Sequence, residues 1–172
     1  MGRIALVTGA NRGIGFEACR QLPEYGFRVI LTARNIAKGE QAAEVLAKKG
    51  KAVDFLPLDV TDDDSVSTLV NAVDTRYGRL DVLVNNAAVY LDEGVSAFDV
   101  PIADIQATMN TNVYGPWRLC RAFMPRMNKR GYGRIVNVST EMGSLQGMEG
   151  RTAAYRVSKT ALNALTRSMA AE

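Results

Sequence analysis

The sequence predicts a doubly wound α/β domain: five parallel strands in the order 3-2-1-4-5, with helices on both faces in three α/β/α layers. Three observations predict it. Short, continuously apolar runs such as Ile4–Val7 and Leu80–Val84 alternate with segments whose apolar residues recur at helical spacing. Strands apolar on both faces need cover on both sides, which a parallel sheet flanked by helices supplies. Finally, chemically distinctive stretches fall at the carboxyl ends of the strands: Gly9–Gly15, Arg34, Asp59, Asn85–Ala88 and Ser139–Thr140. A sheet of this kind binds its ligands there, at the switch between strands 1 and 4.

The chain is organised around Met1–Gly15, MGRIALVTGANRGIG. Strand 1 runs from Arg3 to Thr8 and breaks into Gly9, Gly13 and Gly15. Gly9 permits a sharp turn, Gly13 a close backbone approach to a pyrophosphate, and Gly15 tight packing of the following helix. A strand, a glycine turn and a helix form a corner that binds phosphate. The first helix, Gly13–Tyr25, turns Ile14, Ala18 and Leu22 to one side, and Pro23 marks strain or an end near its last turn. Strand 2 is Phe27–Ala33. Ile36–Lys49 is a helix with Ala42, Val45 and Leu46 inward, closed by Gly50. Strand 3, Ala52–Leu58, ends at Asp59. The helix Thr61–Tyr77 takes Thr61 as its N-cap, has Asp62, Asp63 and Asp64 at its positive end, and stops at Gly78. Strand 4 is Leu80–Val84, and a loop follows over Asn85–Val100. A long helical region, Ile102–Met127, is bent by Gly115-Pro116. Strand 5 is Tyr132–Val138, then a loop over Ser139–Thr152, then a helix from Ala153 to Glu172.

With 172 residues, 47% hydrophobic, the chain is expected to form one domain with one core. No run is long and apolar enough to span a membrane, and no secretion signal is seen. Cys19 and Cys120 are isolated, which suits a cytoplasmic thiol state. The absence of histidine excludes imidazole-based triads and zinc sites, and no metal site is expected. The net charge of +3 is spread, with no aromatic interleaving of its basic residues, so nucleic acid is not an expected partner.

Tyr155 and Lys159 lie four residues apart on a helix and share a face. A nearby ammonium stabilises a phenolate and lowers the phenol's pKa, so Tyr155 is expected to exchange a proton with a carbonyl or alcohol oxygen. The plain alternative is a surface pair. Arg34 follows strand 2, where an acidic residue would bind an unsubstituted adenosine ribose; an arginine there can pair with a phosphate, and Arg12 offers a second cation.

Four sequence elements together carry a family resemblance: Thr8-Gly9-Ala10-Asn11-Arg12-Gly13-Ile14-Gly15, Asn85-Asn86-Ala87-Ala88, Asn112 in NVYG, and Tyr155-x-x-x-Lys159. The chain resembles the short-chain dehydrogenase/reductase family, most of all its carbonyl-reductase-like members, over essentially all its length. The resemblance implies a Rossmann-like dinucleotide-binding domain that uses NADP. It implies a cofactor site at Gly9, Asn11, Arg12, Gly13, Ile14, Gly15, Arg34, Asp59, Val60, Asn85, Ala87, Tyr155 and Lys159, with Asp59 at the adenine and Lys159 on the ribose. It also implies catalysis by Tyr155, Lys159 and Asn112, the last supporting a proton relay, and a hydroxyl after strand 5 that orients the carbonyl. Register favours Thr140 for that hydroxyl and residue type favours Ser139; either could simply cap a turn. Likewise Asp59 could cap the next helix, and Asn112 could cap the kink at Pro116. Ala88 stands where the family has glycine, at a cost of about 1 kcal/mol if the position needs a positive φ.

The expected function is reversible NADPH-dependent reduction of an aldehyde or ketone. The alternatives are a non-catalytic NADP-binding or assembly fragment, and an epimerase or dehydratase on the same scaffold. The family continues with two more strands and a substrate lid, so the chain is expected to be truncated at its C-terminus, with strand 5 as an exposed edge. Relatives pair their last two long helices, which implies a homodimer or homotetramer.

Overall fold

A computed structural model describes residues 2–172, so of the organising stretch only Met1 lies outside the described residues. The chain forms two compact units: residues up to Ala87 with Arg118–Val136, and Ala88–Trp117 with Asn137–Glu172. In chain order the elements are β1 (Arg3–Val7), α1 (Gly13–Gln21), β2 (Phe27–Ala33), α2 (Ile36–Ala47), β3 (Val53–Pro57), α3 (Asp63–Tyr77), β4 (Val82–Asn85), α4 (Ile102–Met109), α5 (Gly115–Lys129), β5 (Arg134–Asn137) and α6 (Ala153–Ala170).

The five strands form one sheet in the order β3-β2-β1-β4-β5, as the sequence predicts. β1 pairs in parallel with both β2 and β4, Ala5 facing Val29 on one side and Val82 on the other. Successive side chains point to opposite faces of a strand. Ala5, Val7, Val29 and Leu31 pack with Cys19 of α1 and Leu46 of α2. The alternate set, Ile4, Leu6 and Ile30, is equally buried, so the other face is covered too. α3 and α5 each carry a buried apolar stripe, with Leu69 and Val73 on one and Leu119 and Phe123 on the other. Two ion pairs join these helices, Arg118–Asp63 at 2.9 Å and Arg126–Asp74 at 3.0 Å. Asp81, fully buried, accepts the Ile4 N–H at 2.8 Å and an Arg79 Nε–H at 3.0 Å, tying the start of β1 to the entry of β4. β5 lies at the sheet's edge, and Val136 on it is 48% exposed.

Four local expectations are corrected. α1 ends at Gln21, and Leu22–Tyr25 tighten into a 3₁₀ turn that starts beside Pro23 and is closed by Gly26 at φ 80°. Ile14 is 71% exposed rather than packed with Ala18 and Leu22, because it sits in the helix's first turn at the sheet rim. The N-cap of α3 is Asp62, whose carboxylate accepts the Asp64 N–H at 3.0 Å. Thr61 is committed elsewhere: its N–H and hydroxyl both donate to Asp59 Oδ1, at 2.9 and 2.7 Å. The long helical region is two helices joined by a π-helical turn over Asn110–Tyr114, immediately before Gly115-Pro116. Pro116 has no N–H to offer the preceding turn, which favours such a widening.

Candidate active site

In the first unit the end of β4 and the glycine turn after β1 form a cradle at the start of α1. Thr8 is buried at the end of β1, and its hydroxyl oxygen accepts the backbone N–H of Asn86 at 3.0 Å and of Ala87 at 2.9 Å. The Asn86 amide donates to the carbonyls of Thr8 at 2.9 Å and Gly9 at 3.2 Å. The end of β4 is thereby fastened to the glycine turn after β1. Gly9 has φ 61°, and a Cβ there would stand 2.8 Å from Ala87 Cα. At Gly15 a Cβ would collide with the Asn86 amide at 2.5 Å, so this glycine makes room for the fastening asparagine. A Cβ at Gly13 would meet no protein atom within 4 Å, leaving that side of the turn open. No side chain caps α1, and its first turn holds no acidic residue, which leaves the helix's positive end available to an anion.

Beside the cradle lies a cleft of about 640 Å³ lined by Asn11, Arg12, Phe16, Arg34, Asn35 and Lys38, among others. Its lining holds three cations and no carboxylate. Lys38 lines this cleft and was not singled out in the sequence. Its signal was present: it lies four residues after Arg34, in the first turn of α2, where Asn35 caps the helix through the Lys38 N–H at 3.0 Å.

Asp59 is half-buried and Val60 buried after β3. Burial pushes the Asp59 carboxyl pKa up, but the two Thr61 hydrogen bonds and the Arg34 and Arg118 charges outweigh it, and the net shift is downward. Asn85 is buried and its amide donates to Cys120 Sγ at 3.7 Å, so its side chain faces α5 rather than the glycine turn. Among the described residues other than glycine, only Arg151 and Thr152 have positive φ, so Ala88 carries no strain from its methyl group.

The second unit holds Asn112, Tyr155 and Lys159, the residues expected to handle protons. Asn112 is buried in the π-helical turn. Its amide oxygen accepts the Val89 N–H at 2.8 Å, and its nitrogen donates to the Val89 carbonyl at 2.9 Å and to Ser158 Oγ at 3.0 Å. Ser158 donates in turn to the Tyr155 carbonyl at 2.7 Å. Lys159 is almost fully buried, donates to the Val138 carbonyl at 2.8 Å, and lies with Nζ 5.7 Å from the Tyr155 ring centre. Burial lowers its pKa. Tyr155 departs from expectation: its pKa is raised, by burial first and by neighbouring Tyr90 second. Among the described residues, the Lys159 ammonium is hydrogen-bonded to the Val138 carbonyl and not to the Tyr155 hydroxyl, and it does not reverse the shift.

Ser139 is exposed, whereas Thr140 is half-buried, its oxygen accepting the Met142 N–H at 3.4 Å as the cap of a 3₁₀ turn over Glu141–Gly143. The sequence reading also missed a set of groups around the start of α6. The Asp92 carboxylate accepts the N–H groups of Ala154 at 2.7 Å and Tyr155 at 3.2 Å, and the Tyr90 ring stacks on that of Tyr155 at 4.4 Å between centres. Both residues lie in a loop with no periodic signal. No helix among the described residues is long and apolar enough to cross a membrane.

The family model described as short chain dehydrogenase matches residues 3–172. A (+)-neomenthol dehydrogenase of Arabidopsis thaliana is 42% identical over 85% of this chain and 56% of its own length. Carbonyl reductase [NADPH] 1 of Sus scrofa is 39% identical over 82% of this chain and 48% of its own. The chain thus spans about half the length of these curated relatives. Among solved structures, a metagenomic short-chain oxidoreductase in complex with NADP superposes with a TM-score of 0.87 at 36% identity, over 97% of this chain and 74% of that one.

Proposed function

Because this chain belongs to the short-chain dehydrogenase family of oxidoreductases, we propose that it takes part in NADPH-dependent reduction of an aldehyde or ketone to an alcohol. The observation that carries this reading is the cation-only cleft of Arg12, Arg34 and Lys38 beside the glycine turn. Such a cleft suits the extra phosphate of NADP, because guanidinium groups pair with phosphate in bidentate geometry and no carboxylate there repels it. The open turn at Gly13 and the uncapped α1 terminus suit the pyrophosphate. Val60 and Asp59 would border the adenine, and Asn11, Ile14 and Ala87 the remaining length of the cofactor. When bound, NADPH supplies the hydride.

Tyr155 gives its phenolic proton to the carbonyl oxygen as charge develops there. A phenol with the ordinary pKa of about 10 is protonated at neutral pH, the form reduction requires, and burial and Tyr90 shift Tyr155 further in that direction. Lys159 holds a ribose hydroxyl with the ammonium hydrogens not given to Val138. Ser139 or Thr140 donates a hydrogen bond that orients the carbonyl. Asn112 fixes the Val89 backbone and, through Ser158, the turn of α6 that carries Tyr155. The carbonyl-reductase relative and the NADP-bound structure support the choice of cofactor and substrate class.

The test is a titration with NADPH and NADH, followed by an assay of NADPH oxidation with benzaldehyde and cyclohexanone. Turnover is expected to fall by about two to four orders of magnitude in Tyr155→Phe, the usual worth of a positioned proton donor, with NADPH affinity retained. Tight NADPH binding with no turnover on any carbonyl compound would favour a dinucleotide-binding module instead.

A further inference from the structure

Tyr155 is held by a segment that the proposed chemistry does not use. Tyr90, Asp92, Gly94 and Val95 all contact the first turn of α6 or the residue before it. Thr152, at the N-cap position, has φ 56°, unfavourable for a β-branched residue, and its side chain does not cap the helix. That conformation is sustained from outside: the Thr152 N–H donates to the Val95 carbonyl at 2.9 Å, and the Thr152 hydroxyl oxygen accepts the Gly94 N–H at 3.2 Å and the Tyr90 hydroxyl at 3.4 Å. The cap that Thr152 fails to provide comes from Asp92, 1% exposed, whose two oxygens take the N–H groups of Ala154 and Tyr155. The backbone of Tyr155 is therefore anchored by a buried carboxylate distant in sequence.

The side chain is anchored as well. The Tyr90 and Tyr155 rings stack with centres 4.4 Å apart and planes inclined by 27°. A stack of this kind restricts both rings and contributes beyond the area it buries. We propose, resting on the reading of Tyr155 as the proton donor, that Tyr90 is a positioning residue: it fixes the Tyr155 ring by stacking while Asp92 fixes the backbone from which that ring projects. The Tyr90 ring, rather than its hydroxyl, carries the effect, because the hydroxyl reaches only the long contact to Thr152. A proton donor must sit within hydrogen-bond reach of the oxygen it serves, so loosening the ring lowers turnover more than substrate affinity.

Tyr90→Leu and Tyr90→Phe test this, with NADPH oxidation on benzaldehyde as the assay and proton NMR of the Tyr155 ring, assigned by its loss in Tyr155→Phe, as a readout independent of activity. In Tyr90→Leu, kcat is expected to fall by about tenfold, the size of one strong stacking contact. KM for benzaldehyde and the NADPH dissociation constant stay unchanged, and the Tyr155 ring signals move downfield as the ring current disappears. Tyr90→Phe restores both kcat and the ring shifts. The proposal is overturned if Tyr90→Leu keeps the parent kcat, if Tyr90→Phe is as impaired as Tyr90→Leu, or if the ring signals do not move. A parent protein that turns over no carbonyl compound, with ring signals that still respond to Tyr90→Leu, overturns the reduction reading and leaves the stack established.

Discussion

Tyr155 holds its proton more tightly than a tyrosine in water, because its ring is half-buried and Tyr90 lies against it. The sign has a kinetic consequence. Carbonyl reduction needs the phenol, which persists below a pKa raised above the usual value of about 10. The NADPH-driven rate is therefore expected to hold through neutral pH and to fall only in the alkaline range; a kcat profile against pH checks this. Lys159 contributes to the same limb, since burial makes its ammonium easier to lose than a free lysine's. The cation cleft makes a second claim at this scale. Arg34→Asp, or Arg34→Asp with Lys38→Glu, is expected to weaken NADPH by about tenfold to a hundredfold, the loss of charge-assisted hydrogen bonds, with NADH little changed. Fluorescence titration of both cofactors measures it, and equal weakening of both would contradict the assignment. The placement of Arg34 directly after β2, and of Tyr155 and Lys159 on one side of α6, was legible in the sequence. The contacts of Tyr90 and Asp92 with α6 were not, because they are made across more than sixty intervening positions.

At the scale of elements, the apolar runs and glycine stops placed all five strands, and the errors fall at helix ends and within the long helical region, which is two helices. Thr61 looked like a cap because a hydroxyl before three aspartates is a good one, but Asp59 claimed that hydroxyl and the cap passed to Asp62. The π-helical turn was visible only as a proline expected to bend a helix. What the sequence could not show is how closely elements pack. Gly39 of α2 faces Phe55 of β3, and a Cβ at that glycine would stand 2.1 Å from the ring. Gly39→Ala is expected to destabilise the protein by about 1–2 kcal/mol, strain from overpacking outweighing the gain in helix propensity. Urea unfolding reads this directly, and a stabilised variant would show that the ring can move aside.

For the molecule as a whole, strand order and sheet were predictable because the connections between parallel strands are themselves helices of the right length, so few arrangements remain. Of the residues in the proposed reading, Arg12, Arg34 and Lys38 belong to the first unit, and Asn112, Tyr155 and Lys159 to the second. Substrate identity was not legible, since no stretch outside these groups carries a pattern that names a particular carbonyl compound. The most direct measurement of the central claim follows the fate of a label: the protein is supplied with benzaldehyde and NADPH deuterated on the transferred face of the nicotinamide, and the alcohol is analysed by mass spectrometry. The account predicts one deuterium at the carbinol carbon, formed by the parent chain and almost abolished in Tyr155→Phe. Alcohol formed at the same rate by Tyr155→Phe, or formed without the label, would contradict it.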